Sequence, residues 1–144
     1  LVKMKRFILF IILCLPLSAM AQTTSFNKLM EKYSTMQDCT TIVMEKEMLR
    51  SMGVESGMDS VLVVSVESKS LIDTFREDVA LATKGFSVLM TVNSGGEMVK
   101  IVSRSEGGKI SEMIVLTISS EEGVAIRVTG NNLSLNEAIS LIDM

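Results

Sequence analysis

Residues 86–129 read FSVLMTVNSGGEMVKIVSRSEGGKISEMIVLTISSEEGVAIRVT, and this stretch decides the fold. Apolar and polar side chains alternate through four successive runs, which are separated by turn sequences at Gly95-Gly96, Gly107-Gly108 and Glu121-Glu122-Gly123. A period of two residues is typical of β-strands, and short glycine turns join strands that lie antiparallel beside each other. The stretch therefore predicts a four-strand antiparallel meander.

Helical patterns and β-prone runs precede the meander. Apolar residues recur with a helical period in residues 25–36, and again in a helix that begins with a capping-box-like pair, Ser70 and Asp73, and ends before Gly85. Two β-prone runs cover residues 39–44 and 61–66. The second of them is almost entirely apolar, which predicts a central strand covered on both faces.

The order of the predicted elements defines the fold class. A further short helix is predicted to end at Gly53, and a capping box of Ser134 and Glu137 predicts a closing helix. Helices and strands do not alternate through the chain, so a doubly wound parallel sheet is not expected. We predict an α+β fold, with a mostly antiparallel sheet, a C-terminal four-strand meander and helices packed on one face. The mixed side chains on the meander's other face predict a surface that is partly wet or meets a partner.

The N-terminal residues have the pattern of a secretory signal. A basic start is followed by an apolar run from Phe7 to Leu17, and small residues occupy Ala19 and Ala21. The run is too short for a stable transmembrane anchor, although an uncleaved anchor is the alternative. We therefore predict a signal peptide at residues 1–21 and a single exported domain at residues 22–144, in the periplasm or cell envelope and without an integral membrane segment.

Charge and composition exclude several classes of partner. After residue 21 there are 11 basic and 17 acidic residues, which gives a net charge of −6. An acidic chain with scattered basic residues is poorly suited to nucleic acid and has no polybasic cluster for anionic lipid. Cys39 is the single cysteine after residue 21, so it is either buried and inert or cross-linked to another chain.

Histidine is missing from the sequence, and the predicted domain has a single cysteine. There is no histidine, which excludes imidazole-based triads and histidine zinc sites, and one cysteine cannot form a redox pair. Ser25 and Lys28 match the S-x-x-K spacing of a serine nucleophile, but a helix cap followed by a solvated lysine explains them better. The paired carboxylates are interpreted as solvated faces. We expect no catalytic residues, no cofactor and no metal.

Methionine is unusually frequent near the start of the predicted domain. Ten methionines follow residue 21, and five of them lie between Met30 and Met52. Methionine commonly fills irregular gaps in a core, and with Cys39 it could also bind cuprous copper, which we consider the weaker alternative. The hypothesis that we retain is a groove for a lipid or peptide, lined by Met30, Met44, Met48 and Met52.

The order of motifs resembles domain of unknown function family 4252, a family of small exported proteins of Gram-negative bacteria. The resemblance rests on F-x-K-L-x-x-K-Y at Phe26–Tyr33, M-L-R-x-M-G at Met48–Gly53, Gly108-Lys109-Ile110 leading to Glu112, and V-T-G-N-N-L-S-L at Val128–Leu135. It implies an envelope location, a one-domain α+β fold and a loose link to envelope signalling. It supplies no established activity and no active-site residues.

The function that these observations favour is an exported, non-enzymatic binding or signalling module for a protein, peptide or lipid. One alternative is a structural or assembly subunit that forms an oligomer through an exposed sheet edge or an apolar patch. A hydrolase of unfamiliar type is the other. The ligand, the oligomeric state and the functional face of the sheet stay open at this point.

Overall fold

The computed structural model describes residues 25–53 and 57–142, and the predicted signal peptide at residues 1–21 lies outside them. In chain order the elements are helix α1 (25–34), strand β1 (Cys39–Glu45), helix α2 (Lys46–Ser51), strand β2 (Met58–Val66), a 3₁₀ turn (Lys69–Leu71), helix α3 (Ile72–Ala82), strands β3 (Ser87–Ser94), β4 (Glu97–Glu106), β5 (Lys109–Ile118) and β6 (Gly123–Gly130), and helix α4 (Leu135–Ile142). This order follows the one predicted from the sequence.

The strands form one antiparallel sheet. Among the described residues it has six strands in the order β1-β2-β6-β5-β4-β3, and every neighbouring pair is antiparallel. Strands β3 to β6 lie side by side in chain order, because a tight turn joins each strand to the next. The last of them pairs with β2, which places β2 inside the sheet and leaves β1 and β3 at the two edges.

The sheet has two apolar faces, because successive residues of a strand point to opposite sides. We call the side that carries Val102, Ile114 and Ala125 the first face. The side that carries Ile101 and Val115 is the second face. Each face belongs to its own cluster of buried side chains, so the sheet separates two cores.

Helices cover both faces. Leu49 of α2 and Ala138 of α4 pack in the second-face cluster, so the prediction that the helices pack on one face is wrong. The physical reason is that β5 is buried on both sides over residues 113–116, and an uncovered second face would expose Met113 and Val115 to water. The first face is covered by α1 and α3 through Phe26, Leu29, Tyr33, Ile72, Phe75 and Val79.

Local signals fix the β3–β4 turn and the start of α4. The loop between β3 and β4 consists of Gly95 and Gly96, whose φ angles of 58° and 84° suit a type I′ hairpin turn that few other residues adopt. At α4 the backbone N–H of Glu137 donates to the Ser134 hydroxyl at 3.4 Å. The serine cap of the predicted capping box is therefore present, and the Glu137 carboxylate accepts from the Ser134 hydroxyl at 3.3 Å.

The start of α3 differs from the prediction. The helix begins at Ile72, after the 3₁₀ turn, and no side chain caps it. The hydroxyl of Ser70 lies 3.0 Å from the hydroxyl of Ser68, so the two serines bond to each other. This local contact takes the place of the expected cap, because serine side chains commonly hydrogen-bond to nearby groups instead.

Candidate functional site

The four methionines of the predicted groove lie on both sides of the sheet. Met30 in α1 packs against the first-face cluster, whereas Met44 in β1 packs against the second-face cluster. Met48 and Met52 lie four residues apart at α2 and are 52% and 56% exposed. The structure therefore places Met44, partly buried, against the second-face core and leaves Met48 and Met52 at the surface, while Met30 packs on the other face of the sheet.

A shallow groove separates α1 from α3. Its volume is about 200 Å³, and both residues of the S-x-x-K match, Ser25 and Lys28, line it. An exposed apolar side chain, Leu81, forms part of its rim and is 69% exposed. The complete lining is Ser25, Lys28, Leu29, Lys32, Asp78, Leu81 and Ala82.

The carboxylate in this groove is already engaged by two donors. The buried hydroxyl of Tyr33 donates to Asp78 Oδ2 at 2.8 Å, and the ammonium of Lys32 donates to the same oxygen at 2.8 Å. Burial of the phenol raises the pKa of Tyr33 above its usual range, and the hydrogen bond to Asp78 adds to that increase. This network links α1 to α3, so the polar residues of the groove hold the two helices together.

Cys39 at the start of β1 is half-buried and packs against the first-face cluster. Burial raises the pKa of its thiol, and the nearby carboxylate of Asp38 raises it further. A raised pKa lowers the fraction of thiolate at neutral pH, which suits a structural cysteine better than a reactive one.

A buried ion pair on the first face was not predicted from the sequence. Arg127 Nη2 donates to Glu112 Oε2 at 3.1 Å, and the two side chains are 14% and 8% exposed. Arg104 lies opposite Glu112 in the β4–β5 ladder, with its guanidinium 4.3 Å from the centre of the Phe86 ring. The alternation of β5 already placed Glu112 on the same side as Ile114, and this was the signal that could have marked it as buried.

The described residues were also compared with the requirements for a metal site and for a membrane-spanning helix. Residues 25–53 and 57–142 contain no group of three histidine, cysteine, aspartate or glutamate side chains that could hold a metal ion. In the same part of the chain, none of the helices has the length and apolar character needed to cross a bilayer.

The outer edge of β3 is an unusual surface feature. The strand reads SVLMTVNS, without a charged residue or a proline, and no described strand pairs with its outer side. Val88, Leu89 and Val92 are 56%, 40% and 45% exposed. Edge strands of soluble proteins are normally protected by charges, prolines or a covering element, because unpaired backbone groups recruit further strands.

The geometry of the hairpin shows which backbone groups of β3 face outward. Ser94 closes the two-residue loop, so Ser94 and Val92 exchange hydrogen bonds with β4. The N–H and C=O groups of Thr91 and Asn93 point the opposite way, toward the open edge. A register shift before Met90 interrupts the ladder and limits the regular edge to the last five residues of the strand.

A comparison with known protein families identifies the family of this chain. Residues 25–141 match the model of the family described as Domain of unknown function (DUF4252). The chain belongs to this family. The match spans every helix and strand described above except the end of α4, and it confirms the resemblance seen in the sequence motifs. No curated protein matches the chain.

The motif V-T-G-N-N-L-S-L of this DUF4252 domain has a structural role. A Cβ atom at Gly130 would collide with the backbone carbonyl of Gly57, so only glycine fits there. The N–H of Asn131 donates to that same carbonyl at 3.0 Å, and the N–H of Leu133 donates to the carbonyl of Ile110 at 2.9 Å. The motif therefore holds the chain against the sheet as it passes from β6 to α4.

The F-x-K-L-x-x-K-Y motif of the DUF4252 domain is likewise used for packing. Phe26, Leu29 and Tyr33 are buried in the first-face core, and Lys32 pairs with Asp78. The β3 edge is different, because its exposed apolar residues and outward backbone groups contribute to neither core.

Proposed function

We propose that this DUF4252 domain is an exported, non-enzymatic binding module that takes an extended segment of a partner protein as an additional strand beside β3. The observation that carries the proposal is the uncharged, unpaired edge of β3, where the N–H and C=O groups of Thr91 and Asn93 point outward. Adding a strand to an open sheet edge is a common way of recognising peptides.

The opposite edge of the sheet is less suited to this role. Strand β1 ends in Glu45, and Asp38 directly precedes it. Helix α2 follows β1 without a loop and packs beside it, through Leu49 in the second-face core. Charges and a neighbouring helix are two of the devices that protect an edge. The residues of β3 itself carry no charge, and no described helix adjoins β3 as directly as α2 adjoins β1.

Backbone pairing alone supports a weak complex. Two outward residues offer four hydrogen bonds, each worth about 0.5–1.5 kcal/mol net. Together they would contribute about 2–6 kcal/mol, before the cost of ordering the bound segment. This range corresponds to dissociation constants from about 30 mM down to tens of micromolar. Side-chain contacts must therefore supply further affinity and the specificity.

A peptide selection tests the proposal. Random peptides of about nine residues, displayed on phage, are selected on the folded domain, and the binding site of an enriched peptide is mapped by amide chemical shifts. We expect the largest shifts at Thr91 and Asn93. The variant Thr91→Pro removes one outward N–H and should lose the peptide, whereas Thr91→Val keeps that N–H and should bind normally.

Two results would contradict the proposal. One is the absence of any enriched peptide. The other is an enriched peptide whose shifts lie elsewhere and whose affinity is unchanged in Thr91→Pro. The mapping on the wild-type domain needs no variant, so it decides the question even if Thr91→Pro unfolds the sheet.

An assembly subunit is the second candidate, and the same edge supports it. Because the residues of β3 itself carry no charge, a second copy that paired through β3 would place no like charges directly opposite each other in the new strand pair. Sedimentation velocity over a range of concentrations distinguishes the two functions. A dimer that Thr91→Pro abolishes would favour assembly, and a domain that stays monomeric at millimolar concentration would exclude it.

Export belongs to the same proposal, and the predicted signal peptide supports it. Mass spectrometry of the protein recovered from the cell envelope should find Gln22 as the first residue. A chain that retains residues 1–21 and fractionates with the cytoplasm would contradict this part of the proposal.

A further inference from the structure

Basic side chains lie along β3 on the first face. Lys100 is the direct neighbour of Thr91 in the β3–β4 ladder. Arg76 of α3 lines a surface depression together with the β3–β4 hairpin. Arg104 stacks on Phe86, the residue immediately before β3. The three cations therefore border the strand near its start, its middle and its end.

Within the described part of the chain, these three cations have no acidic partner at salt-bridge distance. Among residues 25–53 and 57–142, the ion pairs use Lys32, Lys46, Lys69 and Arg127 as the cations. Arg76, Lys100 and Arg104 are absent from these pairs. Lys28, Arg50, Lys84 and Lys109 are likewise absent from these pairs, so the three cations are distinguished by their common position along β3. In a predicted mature chain with a net charge of −6, they form a local positive region.

The second-face side of the same edge is apolar. Met90 lies beside Ile101 and Val92 beside Val99 in the ladder, and Val92 is 45% exposed. Glu97, the carboxylate at the tip of the hairpin, lies opposite Ser94 on this side. A strand added to β3 would thus have basic groups near one set of its alternating side chains and apolar groups near the other.

We infer that the segment recognised at β3 alternates acidic and apolar residues, with the acidic residues toward Lys100, Arg76 and Arg104. This inference rests on the proposed function, because it specifies the chemistry of the strand that β3 accepts. Thr91 is small, so the long side chain of Lys100 can extend over it toward a neighbouring strand. Lys100 belongs to β4, so an acidic side chain of the added strand would pair with it across Thr91. Such charge complementarity also selects the partner.

Three synthetic peptides test the inference by fluorescence anisotropy. Each has about seven residues with blocked ends and alternates valine with glutamate, glutamine or lysine. The glutamate peptide should bind about ten-fold more tightly than the glutamine peptide, since an exposed ion pair contributes up to about five-fold and two or three would form. The lysine peptide should bind most weakly. The preference should shrink as NaCl rises from about 50 to 500 mM.

Two variants localise the effect. Lys100→Gln should weaken the glutamate peptide by about three-fold and leave the glutamine peptide unchanged. Lys46→Gln, at the opposite edge of the sheet, should change neither. If the glutamine peptide binds as tightly as the glutamate peptide, the acidic specificity is refuted and the strand-binding function stands. If none of the three peptides binds at millimolar concentration, both are refuted.

Discussion

Replacing Glu112 with leucine should destabilise the domain strongly. The carboxylate is the one ion-pair partner of Arg127 among the described residues, and the two side chains are 8% and 14% exposed. Glu112→Leu would leave the Arg127 guanidinium on the first face, mostly out of water and without its counter-charge. Breaking a buried pair by removing one partner costs about 3–5 kcal/mol. Because Arg127 retains some contact with water, we expect about 3 kcal/mol.

The double variant Glu112→Leu, Arg127→Leu distinguishes the cost of an unpaired buried charge from the cost of altered packing. Replacing both partners with apolar residues leaves no uncompensated charge, and such replacements are often close to neutral. We expect the double variant to unfold within about 1 kcal/mol of the wild-type domain, which makes it more stable than Glu112→Leu alone. Glu122→Leu, at an exposed turn, is the matched control and should change the free energy of unfolding by less than about 0.5 kcal/mol.

Urea unfolding followed by far-UV circular dichroism measures these differences, provided that each variant unfolds in one transition with an unchanged slope. A loss below about 1 kcal/mol in Glu112→Leu would refute the reasoning. So would a double variant that is as unstable as the sum of the two single variants, because the pair would then have no coupling.

Three further predictions concern the first-face core. In Gly123→Ala the new Cβ would meet the Phe75 ring at 2.7 Å, so the free energy of unfolding in urea should fall by about 1–3 kcal/mol. The same substitution should cost less in a Phe75→Leu background, and a double variant whose two losses simply add would contradict this. Tyr33→Phe removes one hydrogen bond to Asp78, and Asp78 keeps its bond to Lys32. The free energy of unfolding should therefore fall by about 1 kcal/mol in the same assay, and a loss above 3 kcal/mol would contradict this reading of the contact. Because burial raises the pKa of Cys39, its alkylation by iodoacetamide should reach half its maximal rate at a higher pH than in urea-unfolded protein; an equal or lower pH would contradict the burial.

Local signals were sufficient to predict most elements of the fold. The period of two residues and the glycine turns identified β3 to β6, because alternation and turn chemistry are properties of neighbouring residues. The capping box at Ser134 was found for the same reason. The packing of helices on both faces was missed, although the buried stretch at residues 113–116 is apolar without alternation. That pattern indicates cover on both sides, as it does for the similar run at residues 61–66.

The candidate site depends on facts that no local pattern contains. Met30 and Met44 are close in the chain, but they lie on opposite faces because a helix on one face leads into an edge strand whose side chains alternate. The edge position of β3 follows from the pairing of β6 with β2, which is a choice among distant segments. The ion pair of Glu112 and Arg127 likewise requires the strand register. The lack of charge in β3 was visible in the sequence. It indicates a binding site only once the strand is known to lie at an edge of the sheet.

Residue-resolved amide hydrogen exchange, measured by NMR, tests the β3 site most directly. In the free monomer the amides of Thr91 and Asn93 should exchange close to the rate of an unstructured chain, while the amide of Val92 is protected by β4. With the alternating glutamate peptide at about 90% occupancy, the two outward amides should slow by about ten-fold. Slow exchange at Thr91 and Asn93 in the free monomer, or an unchanged rate at both while the peptide is bound, would contradict the account.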